Sequence, residues 1–96
     1  MTIEKTINGT EAVFKLNGWL DTQTSPQLGR ALDELDGDVT SLVLDLETLE
    51  YISSAGLRQV VAAHKKMNGE LTVINVSAEI LDVFKMTGFD KKLNIK

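Results

Sequence analysis

The segment LVLDLETLEYISSAGLRQVV, residues 42–61, places a serine-glycine turn between a strand-like run and a helix-like run. Leucine and valine fill most of residues 42–46, which predicts a short, central, buried strand. After Ser54 the apolar residues recur at the spacing of one helix face, and Asn68-Gly69 ends the pattern. These residues are Leu57, Val60, Val61 and His64. A strand, a turn and a helix in this order are typical of an α/β protein.

The N-terminal part predicts a hairpin and a helix. Strand candidates at residues 2–8 and 10–16 are joined by Asn8-Gly9, whose residues tolerate positive φ, and Gly18 then breaks the alternation. Thr24-Ser25-Pro26 predicts a helix start, with a hydroxyl cap just before a proline at the first helical position. Its apolar stripe comprises Leu28, Ala31, Leu32 and Leu35, and it ends at Asp36-Gly37-Asp38.

The C-terminal part predicts a strand, a capped helix and an edge strand. Residues 71–76 are apolar and β-branched, and Ser77 is placed to cap the helix that follows. Gly88 predicts a left-handed helix end, with Phe89 folding back on the helix, and residues 91–96 predict a short edge strand. The inward residues of this helix are Ile80, Val83 and Phe84.

The predicted order is β-β-α-β-α-β-α, either with or without a final strand. These elements form one α/β domain spanning residues 1–96. Helices that join successive strands favour right-handed crossovers and a largely parallel sheet. The opening hairpin adds antiparallel pairing, so we expect a mixed sheet of four to five strands with helices.

Composition narrows the class of function. The chain has 96 residues and a formal net charge of −4, and this negative charge disfavours nucleic-acid binding. It has no cysteine, which excludes disulfides and thiolate metal sites. No apolar run reaches the ~20 residues that cross a bilayer, and the N-terminus lacks a secretion signal. We therefore expect a cytoplasmic protein with no direct membrane insertion. A single histidine, His64, predicts no metal site and no cofactor.

Catalysis by this chain is not expected. A serine hydrolase needs a base within hydrogen-bond reach of its nucleophile. Ser54 and His64 lie ten residues apart on one predicted helix, a rise of about 15 Å. The Gly-x-Ser-x-Gly elbow is also absent.

The serine-glycine turn has two interpretations. Ser53 or Ser54 could simply cap the helix, which is worth ~1 kcal/mol, or one of them could be a phosphorylation site at the positive helix end. Gly56 in the first helical turn costs ~1 kcal/mol relative to alanine. That penalty indicates a close approach, either by another backbone or by a partner.

Three stretches in this order resemble the STAS domain of bacterial anti-sigma factor antagonists, over nearly the whole chain. They are LNGWLD at residues 16–21, LVLDLETLEYISSAGLR at residues 42–58 and VINVSAEILDVFKMTGF at residues 73–89. The resemblance implies a single STAS-type domain that switches partners. The unmodified domain binds an anti-sigma factor that is also a serine kinase, phosphorylation of the turn breaks the complex, and a PP2C-type phosphatase restores it.

The chain departs from the family at the acceptor position. Well-known members read Asp-Ser-Ser-Gly or Asp-Ser-Thr-Gly, with the modified hydroxyl directly before the glycine, where this chain has Ala55. Ser54 is the nearest replacement and Ser53 the alternative, although a shift of one residue turns a helical side chain by about 100°. An alternative function is therefore a binding module that is not controlled by phosphorylation.

The resemblance also implies a partner surface, formed by the loop up to Asp21 and the serine turn. Its residues are Trp19, Asp21, Ser53, Ser54, Gly56 and Arg58. Asp21 could instead cap turn amides, Trp19 could pack in the core or be a half-exposed ring, and Arg58 could be a solvated helix residue. Because STAS domains also serve transporters, a cytosolic accessory subunit of a membrane transporter is the alternative function.

Overall fold

Six strands and three helices follow one another along residues 1–96, all of which the computed structural model describes. The bounds are β1 Thr2–Asn8, β2 Glu11–Leu20, α1 Ser25–Asp33, β3 Ser41–Asp45, β4 Leu49–Ile52, α2 Ser54–Lys66, β5 Leu71–Ile74, α3 Ala78–Thr87 and β6 Asn94–Ile95. A single 3₁₀ turn, Phe89–Lys91, precedes β6. The predicted α/β class and the final strand are confirmed, and β4 makes the sheet one strand larger than expected. None of the helices has the length and apolar character needed to span a bilayer.

The sheet is mixed and largely parallel, as predicted. The strand order is β1-β2-β3-β5-β6, and β4 pairs with the end of β2 that extends beyond β3. Only the β1–β2 pair is antiparallel. Every crossover moves in the same direction across the sheet, so right-handed connections place all three helices on one face.

The core lies between this helical layer and one face of the sheet. Alternate residues of the central strands are fully buried, and the residues between them are partly exposed. The buried strand residues include Ala12, Phe14, Leu16, Leu42, Leu44, Leu71 and Val73. On α2 the buried face is formed by Leu57, Val60 and Ala63. The predicted face is therefore turned slightly away from the observed one. Val61 and His64, which the prediction placed on it, lie at the edge of the buried face and are only partly buried.

The predicted end of the second strand at residue 16 is wrong. β2 continues to Leu20, because Gly18 takes a φ of +96° and the register shifts between Gly18 and Trp19. A glycine allows such a bulge, which bends the strand without ending it. The bulge lets the last residues of β2 pair with β4.

The helix ends are only partly as predicted. Ser77 caps α3, its Oγ accepting a hydrogen bond from the Ile80 N–H at 3.3 Å, and Gly88 ends that helix with a φ of +77°. The predicted hydroxyl cap of α1 is wrong, and so is the predicted place of the proline, because the helix begins at Ser25 and Pro26 is its second residue. Thr24 occupies the N-cap position, but its hydroxyl donates to the Trp19 carbonyl and accepts from the Asp21 N–H. These contacts fix the loop after β2.

Candidate functional site

The carboxyl ends of β2 and β4 lie side by side at one edge of the sheet. Trp19 pairs with Tyr51 and Leu20 with Ile52, and the Ser53 N–H then donates to the Leu20 carbonyl at 2.9 Å. The loop after β2 and the start of α2 therefore leave the sheet together. In open α/β sheets, binding sites form outside the carboxyl ends of the strands.

The two serines of the turn have different surroundings. Ser53 is the N-cap of α2, with extended backbone, and its Oγ accepts a hydrogen bond from the Gly56 N–H at 3.2 Å. Ser54 is the first helical residue and its side chain is exposed. The capping interpretation is confirmed for Ser53, which leaves Ser54 as the accessible hydroxyl of the turn.

Gly56 is buried because the backbone of β2 runs against it. A Cβ at this position would lie 2.6 Å from the Leu20 carbonyl oxygen, 2.8 Å from Leu20 Cγ and 3.1 Å from Ile52 Cγ1. Real Cβ atoms do not approach other atoms this closely. Of the two reasons considered for the glycine, the structure shows close approach by another backbone.

The start of α2 carries no negative charge. Its first turn contains no acidic residue, so the partial positive charge of the helix end is not neutralised there. Ala55 is partly buried, and Arg58 is exposed one turn after Ser54. An added anionic group at Ser54 would therefore meet favourable local electrostatics.

Asp21 holds the neighbouring loop. Its Oδ1 accepts hydrogen bonds from the N–H groups of Thr24 and Gln23, each at 3.0 Å. The Thr24 hydroxyl shares its one proton between this oxygen, at 3.1 Å, and the Trp19 carbonyl, at 2.8 Å. The Thr24 N–H is the main cause of a lowered Asp21 pKa; partial desolvation opposes it, and the Thr24 hydroxyl and the Gln23 N–H support it. Asp21 thus caps turn amides, whatever else it contacts.

Replacing Asp21 with asparagine is expected to remove a pH-dependent part of stability. Because folding lowers the pKa of this carboxyl, its contribution is present above the unfolded value of about 3.9 and is lost as pH falls through the lower folded value. The difference in unfolding free energy between wild type and Asp21→Asn should therefore shrink below about pH 4. Urea unfolding at pH 2.5–7 measures it, and a difference that grows on acidification would contradict the assignment.

Trp19 does not pack in the core. Its side chain is 56% exposed and Tyr51 is 48% exposed, and their ring centroids are 5.6 Å apart with an interplanar angle of 51°. Tyr51 was not among the predicted site residues. The only feature that could have pointed to Tyr51 is its place in the short strand β4, in which two exposed residues separate two buried ones.

The structure thus brings Trp19, Asp21, Ser53 and Ser54 to one end of the domain. His64 lies ten residues further along α2, and no group of three histidine, cysteine or acidic residues is placed to hold a metal ion. The grouped features are an exposed hydroxyl, a rigid loop and an aromatic pair, which suit recognition by another protein.

Comparison with known proteins gives a consistent result. A family model described as the STAS domain matches residues 2–96. A Bordetella bronchiseptica protein named "Putative anti-sigma factor antagonist BtrV" is 36% identical over 78 residues, which is 77% of this chain and 67% of that protein.

Solved structures show the same fold. An anti-sigma factor antagonist from Mycobacterium paratuberculosis superposes with a TM-score of 0.86 at 26% identity, covering 98% of this chain and 83% of that one. The anti-sigma factor antagonist SpoIIAA, in its unphosphorylated form, gives a TM-score of 0.73 at 19% identity, covering 99% and 87%. SpoIIAA has also been solved in a phosphorylated form, which gives a TM-score of 0.69 at 20% identity, covering 99% and 91%.

Proposed function

The chain belongs to the STAS family, and we propose that it is an anti-sigma factor antagonist that binds its partner through the surface around Ser54. The observation that carries this proposal is the exposed Ser54 at the start of α2, beside the loop of Asp21. The domain acts in the cytoplasm as a binding partner and a kinase substrate, and it performs no catalysis itself.

We propose Ser54 as the phosphorylated residue. In the transfer, the Ser54 Oγ attacks the γ-phosphorus of ATP, the bond to the leaving ADP breaks, and a base of the kinase takes the hydroxyl proton. The anti-sigma factor supplies this kinase activity, and a PP2C-type phosphatase hydrolyses the ester. SpoIIAA is a relative for which a phosphorylated form exists.

Three local features favour Ser54 over its neighbours. Ser53 is partly buried and already caps α2, and Ala55 has no hydroxyl. Ser54 is exposed on the first turn of a helix whose positive end stabilises added negative charge. A phosphate there adds about −1.5 to −2 charges without displacing a buried group, so the change acts at the surface and leaves the fold intact.

The proposal is tested by recovering the partner and assaying it. The protein is used to capture partners from its source organism, and the recovered kinase is incubated with ATP and each of wild type, Ser53→Ala and Ser54→Ala. Mass spectrometry should show one added phosphoryl group on wild type and on Ser53→Ala, and none on Ser54→Ala. Recovery of a transporter subunit without a kinase, or modification that persists in Ser54→Ala, would contradict the proposal.

A further inference from the structure

We propose that Trp19 and Tyr51 together form the apolar anchor by which the anti-sigma factor recognises this protein. This inference rests on the proposed function and adds a residue, Tyr51, that the serine turn does not include. It also separates two tasks of the surface. The aromatic pair supplies affinity, and the state of Ser54 decides whether the complex forms.

The exposure of these rings is unusual for the chain. Four large hydrophobic residues are exposed, and only Trp19 and Tyr51 among them contact each other. The other two, Ile7 and Met86, lie on β1 and at the end of α3. Aromatic rings that remain half exposed and adjacent form the type of patch that protein partners cover.

The pair is held in place before any partner binds. Trp19 and Tyr51 are register partners on parallel strands, and the next pair, Leu20 and Ile52, is buried in the core. Each ring has only two side-chain torsions, so little conformational entropy is lost when a partner covers it. An anchor of this kind binds without prior rearrangement.

The position of the pair is the reason for naming the anti-sigma factor as the protein that covers it. Tyr51 precedes Ser54 by three residues, so their Cα atoms are at most about 11 Å apart. A standard interface covers about 800 Å² on each partner, a patch roughly 30 Å across. Leu20 and Ile52 point into the core beneath the helices, so by strand alternation Trp19 and Tyr51 point to the opposite face of the sheet. A protein that docks over Ser54 and also extends over the carboxyl ends of β2 and β4 is large enough to cover both rings, and it should present an apolar pocket to them.

A purely structural role makes a different prediction. Cross-strand aromatic pairs stabilise the strands that carry them. If that were the only role, removing a ring would lower the unfolding midpoint and leave partner affinity unchanged under conditions where the variant is folded. Both quantities must therefore be measured on each variant.

The test measures affinity for the purified anti-sigma factor by calorimetry. Trp19→Ala and Tyr51→Ala should each weaken binding about tenfold or more, and Tyr51→Phe should bind like wild type. Ile7→Ala and Met86→Ala are matched controls, because these side chains are 54% and 85% exposed at other places on the surface. They should change the affinity less than about twofold, as expected for residues outside an interface.

The outcomes separate the two proposals. Absence of any complex with wild type would overturn the proposed function and this inference with it. A wild-type complex whose affinity is unchanged in folded Trp19→Ala and Tyr51→Ala would overturn the inference alone. So would sedimentation showing that the pair is covered by a second copy of the chain, with Trp19→Ala converting a dimer to a monomer.

Discussion

Replacing Gly56 with alanine is expected to lower the free energy of unfolding by about 2–3 kcal/mol, which is a large fraction of the stability of a small domain. The new Cβ would lie 2.6 Å from the Leu20 carbonyl oxygen, which is backbone, and 2.8 Å from Leu20 Cγ, which is fully buried. Neither neighbour can move without disturbing the sheet. The gain of ~1 kcal/mol in helix propensity offsets only part of the cost.

The same substitution should disturb the candidate site. The Leu20 carbonyl that would clash also accepts the hydrogen bond from the Ser53 N–H at 2.9 Å. Relief of the clash requires α2 to move away from β2, which stretches this bond and shifts the serine turn. Gly56 therefore holds Ser54 beside the loop that follows β2, and the proposed recognition surface depends on this placement.

Thermal unfolding checks the Gly56→Ala prediction, with an expected fall of about 10–20 °C in the midpoint. Gly37→Ala is the matched control, because a Cβ at Gly37 meets nothing within 4 Å and no positive φ is required there. That variant should stay within about 0.5 kcal/mol of wild type. A Gly56→Ala protein as stable as wild type would mean that α2 and β2 do not approach as described.

The features that sequence predicts well depend on neighbouring residues. Asn8-Gly9 gives the hairpin, with Gly9 at a φ of +65°, because the turn conformation is written into two adjacent residues. Ser77 and Gly88 mark the ends of α3 for the same reason. Such signals act within a few residues and need no knowledge of the rest of the fold.

The features that sequence missed depend on distant contacts. β4 has four residues, and its two exposed central residues break the alternation that predicts a strand. It forms because β2 continues past the bulge at Gly18 and offers it a partner. Without β4 the position of Tyr51 cannot be predicted, and Trp19 could not be distinguished from a core residue.

In the serine turn, too, the sequence leaves open a choice between neighbouring residues that only the fold decides. Sequence indicated that either Ser53 or Ser54 caps α2, but helix ends cannot be placed to one residue from a pattern. The structure assigns the cap to Ser53 and leaves Ser54 exposed. Likewise, Gly56 indicated a close approach, and only the fold identifies Leu20 as the approaching backbone.

Replacing Ser54 with aspartate is expected to weaken binding of the anti-sigma factor by a factor of ten or more, and enzymatic phosphorylation of Ser54 should weaken it further. The added charge must be desolvated when the partner covers this surface. The domain itself should not be destabilised, because a negative side chain in the first turn of α2 interacts favourably with the helix dipole.

Ala78→Asp separates this effect from a general effect of charge. Ala78 is exposed and is the first residue of α3 after the Ser77 cap, which is the position that Ser54 has after the Ser53 cap in α2. Both variants add one charge at the same helical position, so both should fold like wild type. Only Ser54→Asp should lose partner affinity, while Ser54→Ala should bind normally and resist the kinase. Equal affinity of Ser54→Asp and Ala78→Asp would show that the start of α2 does not face the partner.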